Sequence, residues 1–322
     1  MTVPILSRRT LIGGAAALSA MPATAQIGSA DEIVELWPGP PPGDTGARIV
    51  RKVADQSRGG AQPDRWVTGI ARPVLVVRRP ARPNGAAVLL CPGGGYGFLS
   101  YDNEGTSQAA WLNARGITAF IMLYRLPGEG WANRAVVPLQ DAQRAMRIIR
   151  ARATGFRIAP NRVAVLGFSA GGHLAGSLAT RHALPTYTPV DAADRLSARP
   201  DLAGLVYPVI SFTAPFTHAG SRDMLLGPEQ TPAQRRDWSI ETRVDAATPP
   251  ILLVHASDDG LVPPDNSIAV YQAMRAAGRP AALHIFEDGG HGFGVRLPAA
   301  QSASTWPSLF ATFAARQGIL PA

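Results

Sequence analysis

A serine stands in the stretch Gly167-Phe168-Ser169-Ala170-Gly171, which has the pattern GxSxG. The motif follows a short apolar run, residues 163–166, and precedes a segment with helical spacing, so we predict that it forms a turn from a strand into a helix. In that setting the small flanking residues permit a tight, strained turn that lifts the serine hydroxyl into a cleft above the helix amides. We therefore predict that Ser169 is a catalytic nucleophile.

This nucleophile needs a general base and a carboxylate that orients the base, since a serine hydroxyl reacts slowly at neutral pH. His291 follows a predicted strand and lies among glycines that offer it few packing partners. An acidic pair, Asp258 and Asp259, follows another predicted strand. The chain order Ser, Asp, His suits such a triad, and we predict His291 as the base. Asp259 is favoured as its acid because it stands three residues before Val262, where the next packing contact begins, whereas Asp258 is then a neighbour or a turn cap.

A glycine-rich loop, Pro92-Gly93-Gly94-Gly95-Tyr96, follows the predicted strand at residues 86–91. Glycines expose backbone amides, which suit either a phosphate cradle or an oxyanion hole. The loop has neither the GxxxxGK[ST] pattern nor a GxGxxG that opens a helix, so a phosphate site is not favoured. We predict that the amides of Gly94, Gly95 and Ala170 form an oxyanion hole.

Three side chains are predicted to line a substrate pocket, although two of them have a competing interpretation. Tyr96 extends the glycine loop, and a packing role suits it equally well. His173 stands four residues after Ser169 on the same predicted helix, where a capping or packing role is favoured. Trp238 belongs to an irregular stretch, residues 182–248, that could cover the strand ends.

The remaining histidines carry less information. His255 and His284 lie inside predicted strands and are interpreted as core or sheet-face residues. His182 and His218 carry no signal of function.

Strands and helices alternate along the chain from about residue 72 onward. Predicted strands are short apolar runs, rich in β-branched residues, at 74–77, 86–91, 117–123, 163–166, 205–209, 251–255 and 281–286. Predicted helices show apolar residues at helical spacing at 108–114, 139–153, 171–181, 267–277 and 302–316. This alternation predicts an α/β fold, with a mostly parallel, doubly wound sheet and helices on both faces. Ligands bind at the carboxyl ends of such strands, where the chemical motifs above are found.

The composition is that of a globular chain with many tight loops. Of 322 residues, 46% are apolar and 17% are charged, which excludes intrinsic disorder, and 33 glycines without a repeat exclude collagen. The net charge of +8 comes mostly from scattered arginines without a run of like charges, so no nucleic-acid partner is expected. A single cysteine, Cys91, excludes an intrachain disulfide framework and a structural zinc site built on thiolates.

The N-terminal residues 1–25 are predicted to be an export signal. Ser7-Arg8-Arg9-Thr10 precedes an apolar run at 13–20 and the small-residue sequence Ala23-Thr24-Ala25. Paired arginines, a modest apolar run and an AxA site resemble a twin-arginine signal, so we expect cleavage after Ala25 and a periplasmic or secreted protein. No other stretch reaches 18 consecutive apolar residues, and no membrane span is expected.

The rest of the chain is divided by its periodicity. Residues 26–72 show no clear period and are expected to wrap the sheet as an arm or to supply a first edge strand. Residues 73–322 are expected to form the catalytic domain, with an insert near 182–248.

These motifs resemble the α/β-hydrolase superfamily, and more narrowly its bacterial carbohydrate-esterase-like branch, which includes acetyl xylan and feruloyl esterases. The resemblance covers roughly residues 72–316 and implies that Ser169, Asp259 and His291 form a triad. This chain departs from the commoner lipase pattern in having Pro92 where a histidine precedes the three glycines. The motifs that carry the resemblance are Pro92-Gly93-Gly94-Gly95-Tyr96, Leu123-Tyr124-Arg125-Leu126-Pro127, Asp141-Ala142-Gln143-Arg144-Ala145, Gly167 to Ala175, Pro249-Pro250 leading to His255, and Gly289-Gly290-His291-Gly292-Phe293.

Two charged residues in these motifs allow more than one role. Arg125 could hold the glycine loop or meet substrate, and a salt bridge is favoured. Asp141 is interpreted as a helix cap or an ion-pair partner.

The expected function is a secreted serine carboxylesterase that removes short acyl groups, most of all acetyl, from plant-type polysaccharide or oligosaccharides. Its mechanism requires no metal or organic cofactor. The alternatives are a serine peptidase of the same fold, a general short-chain esterase or lipase, and a non-catalytic binding protein. The sequence leaves the oligomeric state open.

Overall fold

The computed structural model describes residues 32–57 and 62–320. The predicted signal peptide, residues 1–25, lies outside these ranges. The strands within them are β1 (Glu32–Glu35), β2 (Lys52–Asp55), β3 (Arg65–Thr68), β4 (Val74–Arg78), β5 (Gly85–Cys91), β6 (Leu99–Ser100), β7 (Thr118–Leu123), β8 (Ile158–Phe168), β9 (Leu202–Val206), β10 (Ile251–Ala256) and β11 (Ala281–Phe286). The α-helices are α1 (Ser107–Asn113), α2 (Val137–Ala151), α3 (Ala153–Phe156), α4 (Ala170–Arg181), α5 (Ala219–Leu226), α6 (Pro232–Asp237), α7 (Asp265–Ala276) and α8 (Trp306–Arg316).

Eight of the described strands form one sheet in the order β1-β4-β7-β5-β8-β9-β10-β11. Neighbours from β7 to β11 run parallel, whereas β1 and β4 add an antiparallel edge. The strands β7, β9 and β10 are buried along their whole length. Parallel strands covered on both faces carry apolar residues at successive positions, which explains their continuous apolar runs. The mostly parallel α/β sheet predicted from the sequence is confirmed.

The strand register brings the motifs together at one edge of this sheet. Cys91 at the end of β5 pairs with Gly167 near the end of β8, so the glycine loop begins beside the GxSxG turn. Ala256 at the end of β10 pairs with Phe286 at the end of β11, so the loops that carry Asp259 and His291 leave the sheet as neighbours.

One predicted strand is displaced in the structure. The strand predicted at residues 205–209 is β9, which ends at Val206. The apolar run continues beyond it, but Tyr207 has a φ of 37° and Pro208 has no N–H for the ladder. Parallel pairing with β8 therefore ends where Val206 meets Phe168.

A second, antiparallel sheet of the described residues has the order β2-β3-β6 and was not predicted. The strand β2 is largely exposed and has no apolar run, so its sequence carries no period-2 signal. Trp66 in β3 pairs with Ser100 in β6, just after the glycine loop. This small sheet therefore brings residues of the N-terminal segment close to the carboxyl ends of the large sheet.

The segment before β2 is attached to the large sheet through a buried ion pair. Arg125 and Asp141 are both fully buried and their closest side-chain atoms lie 2.8 Å apart. Trp37 donates a hydrogen bond to the same aspartate at 2.8 Å, and Arg125 donates to the carbonyl of Pro42 at 2.6 Å. The salt-bridge interpretation of Arg125 and Asp141 is confirmed. None of the helices in the described ranges combines the length and the apolar character needed to cross a bilayer.

Candidate active site

Ser169 occupies the turn between β8 and α4, with φ 52° and ψ −121°. Non-glycine residues rarely adopt a positive φ, so the turn is strained at this position. The flanking glycines are required by close backbone approach: a Cβ on Gly171 would lie 2.1 Å from the carbonyl oxygen of Cys91, and one on Gly167 would lie 2.2 Å from that of Gly171. The GxSxG pattern is thus explained by contacts that leave no room for side chains beside the serine.

The structure brings Ser169, His291 and Asp259 into one hydrogen-bonded chain. Ser169 Oγ lies 2.9 Å from Nε2 of His291, and Nδ1 of His291 lies 2.7 Å from Oδ2 of Asp259. An ionised carboxylate only accepts, so His291 donates from Nδ1, and its Nε2 is left to accept the serine proton. Ser169 and Asp259 lie 122 and 32 positions before His291, and the three meet because β8, β10 and β11 end at the same edge of the sheet.

The carboxylate of Asp259 is held in its ionised form by its surroundings. Burial alone would raise the pKa of Asp259, but hydrogen bonds from His255 and His291 and from the backbone N–H of Val262 lower that pKa well below its usual range. The amides of Leu261 and Val262 donate to Oδ1 at 3.0 and 2.9 Å, which fixes the carboxylate against rotation. Asp259 therefore remains an acceptor for His291 at any pH near neutrality.

The neighbouring aspartate has a different task. Asp258 accepts hydrogen bonds from the amides of Gly289 and Gly290, at 3.3 and 2.8 Å. These amides belong to the turn that carries His291. Of the acidic pair, Asp259 contacts the histidine, and Asp258 caps the histidine's turn.

The glycine loop presents free amides beside Ser169. Gly94 and Gly95 have φ of 121° and 62°, and a Cβ on Gly94 would lie 2.3 Å from the carbonyl of Phe98. Both glycines border the same cavity as Ser169. Among the described residues, the amides of Gly94, Gly95 and Ala170 have no protein acceptor, and Ala170 begins α4, where helix amides are unpaired. These donors are available to an oxyanion.

The predicted pocket residues Tyr96, His173 and Trp238 do not border this cavity, and that prediction is wrong. Tyr96 and His173 are almost completely buried, and Trp238 is 8% exposed. The Tyr96 hydroxyl lies 2.8 Å from Nδ1 of His173, and Nε2 of His173 lies 2.8 Å from the carbonyl oxygen of Trp238. A carbonyl only accepts, so Nε2 donates and Nδ1 accepts from the tyrosine. These hydrogen bonds attach the glycine loop to α4 without bordering the cavity.

His173, which is buried, stays neutral. Burial, with a smaller contribution from the charge of Arg181, lowers the pKa of His173 to about 4. Its ring stacks on Phe212 with centroids 4.5 Å apart. The packing role that the sequence favoured for His173 is confirmed.

The cavity in front of Ser169 has a volume of about 370 Å³. Trp66 and Phe98 lie on its wall with their rings stacked, 3.9 Å between centroids and 12° between planes. Asp64, His218 and Leu261 also border it. Sequence reasoning missed all five.

The sequence around these five residues gives little sign of a cavity wall, for physical reasons. Trp66 lies in β3 of the small sheet and Asp64 directly precedes β3. No hydrophobic periodicity predicted a strand there. His218 caps the start of α5, where the acceptor of the Ser221 amide is a histidine nitrogen rather than one of the usual Ser, Thr, Asp or Asn caps. Only the position of Phe98, close after the three glycines, was a usable signal. Within the described ranges, no three side chains of the metal-ligating types come together at a site that could hold an ion.

Comparisons with known proteins all find esterases or other hydrolases. Residues 81–274 match the family BD-FAE, and residues 237–315 match the Dienelactone hydrolase family. The chain is 38% identical over 224 residues to an acetylxylan esterase of Xylanibacter ruminicola, which covers 68% of this chain and 43% of that protein. It is 36% identical to an endo-1,4-beta-xylanase B of Butyrivibrio fibrisolvens, over 65% of this chain and 32% of that protein. The chain thus spans less than half the length of these two relatives.

A solved structure is similar over almost its whole length. The acetyl ester-xyloside bifunctional hydrolase from Caldicellulosiruptor lactoaceticus is 32% identical, with a TM-score of 0.72 over 90% of this chain and 97% of that one. The carboxylesterase Cest-2923 from Lactobacillus plantarum shares the fold at 24% identity and a TM-score of 0.64.

Proposed function

This chain belongs to the BD-FAE family of α/β-hydrolase esterases, and from that premise we propose that it is a serine carboxylesterase that removes short acyl groups, most of all acetyl, from plant-type polysaccharide or its oligosaccharides. One observation carries the chemistry. The chain of contacts from Ser169 through His291 to Asp259, with 2.9 and 2.7 Å between the joined atoms, lies beside the cavity and supports a triad.

The proposed reaction proceeds through an acyl-enzyme. His291 takes the Ser169 proton at Nε2 as Oγ attacks the ester carbonyl carbon, and Asp259 stabilises the imidazolium that results. The same proton passes to the departing alcohol oxygen as the ester bond breaks. A water molecule then gives a proton to His291 and attacks the acyl carbon, which releases the carboxylic acid and restores Ser169.

The charge on the carbonyl oxygen during both steps is assigned to backbone donors. The unpaired amides of Gly94, Gly95 and Ala170 support this assignment. Such donors act in place before the reaction begins, and the loss of one typically slows turnover by about 100- to 1,000-fold.

The substrate is proposed from the relatives and from the cavity together. Two relatives carry names that refer to xylan, and the structural neighbour at 32% identity is named for acetyl ester and xyloside hydrolysis. A cavity with a stacked aromatic wall, Trp66 on Phe98, and a carboxylate, Asp64, offers both apolar surface and a hydrogen-bond acceptor. A sugar has apolar C–H faces and hydroxyl donors, so it matches both features.

We also propose that the protein is exported. The support is the sequence alone, since Arg8-Arg9, the apolar run and Ala23-Thr24-Ala25 stand in the order of a twin-arginine signal. Intact-mass spectrometry of the protein recovered from the periplasm or medium is expected to show an N-terminus at Gln26. A mass that retains residues 1–25 contradicts the export proposal.

The experiment that tests the function uses two substrate sets with purified wild-type protein and Ser169→Ala. Acetylated xylo-oligosaccharides are incubated in parallel with aryl esters from acetate to octanoate, and released acid is measured. We expect acetate from the oligosaccharides, aryl cleavage only for short chains, and no release by Ser169→Ala.

The other outcomes decide between the parts of the proposal. Cleavage of aryl esters without release from oligosaccharides retains the serine esterase and removes the substrate. Equal cleavage of octanoate and acetate esters indicates a general esterase or lipase. No Ser169-dependent release from either set overturns the proposed function.

A further inference from the structure

A buried carboxylate borders the catalytic cavity and has no part in the triad. Glu104 lies in a π-helical turn, Asp102–Thr106, that precedes α1, and it is 4% exposed. It shares the cavity wall with Ser169 and His291. Burying a carboxylate is costly unless its oxygens are satisfied, so its position calls for a reason.

Each oxygen of Glu104 accepts a hydrogen bond from a different loop. Oε2 accepts from the amide of Gly93 at 2.6 Å, and Oε1 accepts from the hydroxyl of Tyr207 at 3.0 Å. The Tyr207 oxygen in turn accepts from the amide of Gly294 at 3.1 Å. One side chain thus joins the glycine loop after β5, the turn after β9 and the loop that carries His291.

The same carboxylate lies close to the reacting groups. A Cβ on Gly93 would be 2.9 Å from Glu104 Oε2 and 2.9 Å from the Cβ of Ser169, so glutamate and nucleophile flank one glycine. The ring of Tyr207 lies 5.0 Å from that of His291, centroid to centroid. Glu104 is therefore linked to both the oxyanion donors and the base through one intervening residue.

The donors around Glu104 favour its ionised form. Both oxygens face donors, and a proton on Oε1 would leave the Tyr207 hydroxyl without its acceptor. Burial leaves the pKa of Glu104 above its usual value, although the Gly93 amide, the charge of His291 and the Tyr207 hydroxyl partly oppose that rise. The titratable groups that act on it are His291, Tyr207 and Asp64, which also borders the cavity.

We propose that Glu104 is a positioning residue that holds the glycine loop and the His291 loop in register, and that its charge is a second anion, besides Asp259, that stabilises the His291 imidazolium. The inference rests on the proposed serine-esterase function of the same site. It assigns to Glu104 no contact with the reacting carbonyl. Its effect is carried by Gly93 and Tyr207, and by the electrostatic field at His291.

The conservative variant Glu104→Gln separates the two roles. An amide has one acceptor end and one donor end, so if its oxygen accepts from Gly93, its NH2 faces the Tyr207 oxygen and the Tyr207 proton loses its acceptor. The substitution also removes a negative charge that interacts with His291, which makes the imidazolium less favourable. The acid limb of kcat/KM therefore moves to lower pH.

The matched control is Glu129→Gln. Glu129 is partly buried and accepts two backbone amides, those of Gly69 and Ile70 at 2.5 and 3.0 Å. Burial raises its pKa as well. It is not among the residues that border the catalytic cavity. Loss of a buried acceptor is thus common to both variants, and only one of them acts on the site.

The experiment measures kcat/KM for an aryl acetate from pH 5 to 9, with thermal unfolding, for the wild type and both variants. We expect Glu104→Gln to lose about 10- to 100-fold in kcat/KM and its acid limb to move down by about half a unit or more. Glu129→Gln is expected to lose thermal stability while both kinetic quantities remain those of the wild type.

The contrary results are distinct. A Glu104→Gln enzyme within about twofold of Glu129→Gln, with the same acid limb, overturns the proposal. A loss of rate without a shift of the limb overturns its electrostatic half. Should Glu104→Gln not fold, Tyr207→Phe removes the hydroxyl that joins Glu104 to the Gly294 amide and leaves the Gly93 bond in place: about a tenfold loss supports the positioning role, and wild-type kinetics overturn it. A wild type without Ser169-dependent activity removes the proposed function, and this inference with it.

Discussion

Two histidines lie close to Ser169, and their surroundings divide the work between them. His291 stands among glycines, with its side chain 17% exposed and one ring nitrogen turned to the serine. His173 is fully buried on α4, with both ring nitrogens engaged by Tyr96 and Trp238. The difference teaches that a histidine beside a nucleophile is a base only if its environment leaves a nitrogen free.

Removal of His291 is the strongest test of this comparison. We expect His291→Ala to lower kcat by about 10⁴- to 10⁶-fold without a loss of thermal stability, because the general base is gone and few packing contacts go with it. Aryl acetate turnover and thermal unfolding are measured side by side.

The control for this variant is His284→Ala in β11, seven residues earlier and only partly buried. It is expected to retain turnover within about threefold. A His291→Ala enzyme that keeps more than about a hundredth of wild-type kcat would break the comparison.

The carboxylate that orients His291 gives the second effect. Asp259→Asn is expected to lower kcat by about 10³- to 10⁴-fold, because the amide no longer holds the proton on Nδ1 and the imidazolium loses its partner. Asp258→Asn keeps an acceptor for the shorter bond from Gly290, loses only the longer one from Gly289, and is expected to stay within about fivefold of the wild type. Comparable losses in the two variants would contradict the assignment of Asp259.

For the buried His173 we expect the opposite pattern, a loss of stability with little loss of activity. His173→Phe retains the ring stacked on Phe212 but leaves the Tyr96 hydroxyl and the Trp238 carbonyl without partners. The free energy of unfolding is expected to fall by about 2 to 4 kcal/mol at pH 7, while kcat falls by less than about tenfold. Urea unfolding and aryl acetate turnover check the two effects.

This stability difference also depends on pH. The pKa of His173 is about 4 in the folded protein against an ordinary value of 6.5, so the unfolded chain takes up a proton first as the pH falls. The stability contributed by neutral His173 is complete above about pH 6.5 and is lost towards pH 4, by about 3 kcal/mol. The gap between the wild type and His173→Phe should therefore narrow from pH 7 to pH 4, and a constant gap would contradict the low pKa.

The smallest effect extends the comparison to two tryptophans. Trp66 borders the cavity, whereas Trp238 lies behind it. Trp66→Ala is expected to lower kcat/KM for acetylated xylo-oligosaccharides by about 3- to 10-fold and to leave aryl acetate unchanged, because in the proposed complex the aromatic wall contacts the sugar and not the acyl group. Trp111→Ala, a partly buried tryptophan outside the cavity wall, is the matched control. Equal losses on both substrates would contradict a sugar-specific role for Trp66.

How well each site residue could be predicted from the sequence depends on its surroundings in the same way. The chemical motifs were readable because each follows a short, mostly apolar run of strand residues, and β11 was predicted to the residue. His173 was placed in the pocket as one alternative because a position four residues from the nucleophile is close to it on a helix. Which side of α4 is covered depends on Tyr96 and Phe212, which come from distant parts of the chain.

The cavity wall was unreadable for a different reason. Trp66 belongs to a small sheet whose strands have no period-2 pattern, and His218 caps a helix with an unusual residue type. Both reach the cavity through contacts between loops, and loop conformation follows from tertiary contacts that local sequence patterns do not contain.

The positive φ of Ser169 sets stability against activity at a single residue. Glycine adopts this backbone conformation freely, and the strain of a non-glycine residue there costs about 1 to 3 kcal/mol. A directed-evolution campaign that selects for thermal resistance alone would therefore favour Ser169→Gly and recover a hardier protein that no longer turns over an ester. A thermostable variant of this protein has to gain its stability elsewhere in the fold.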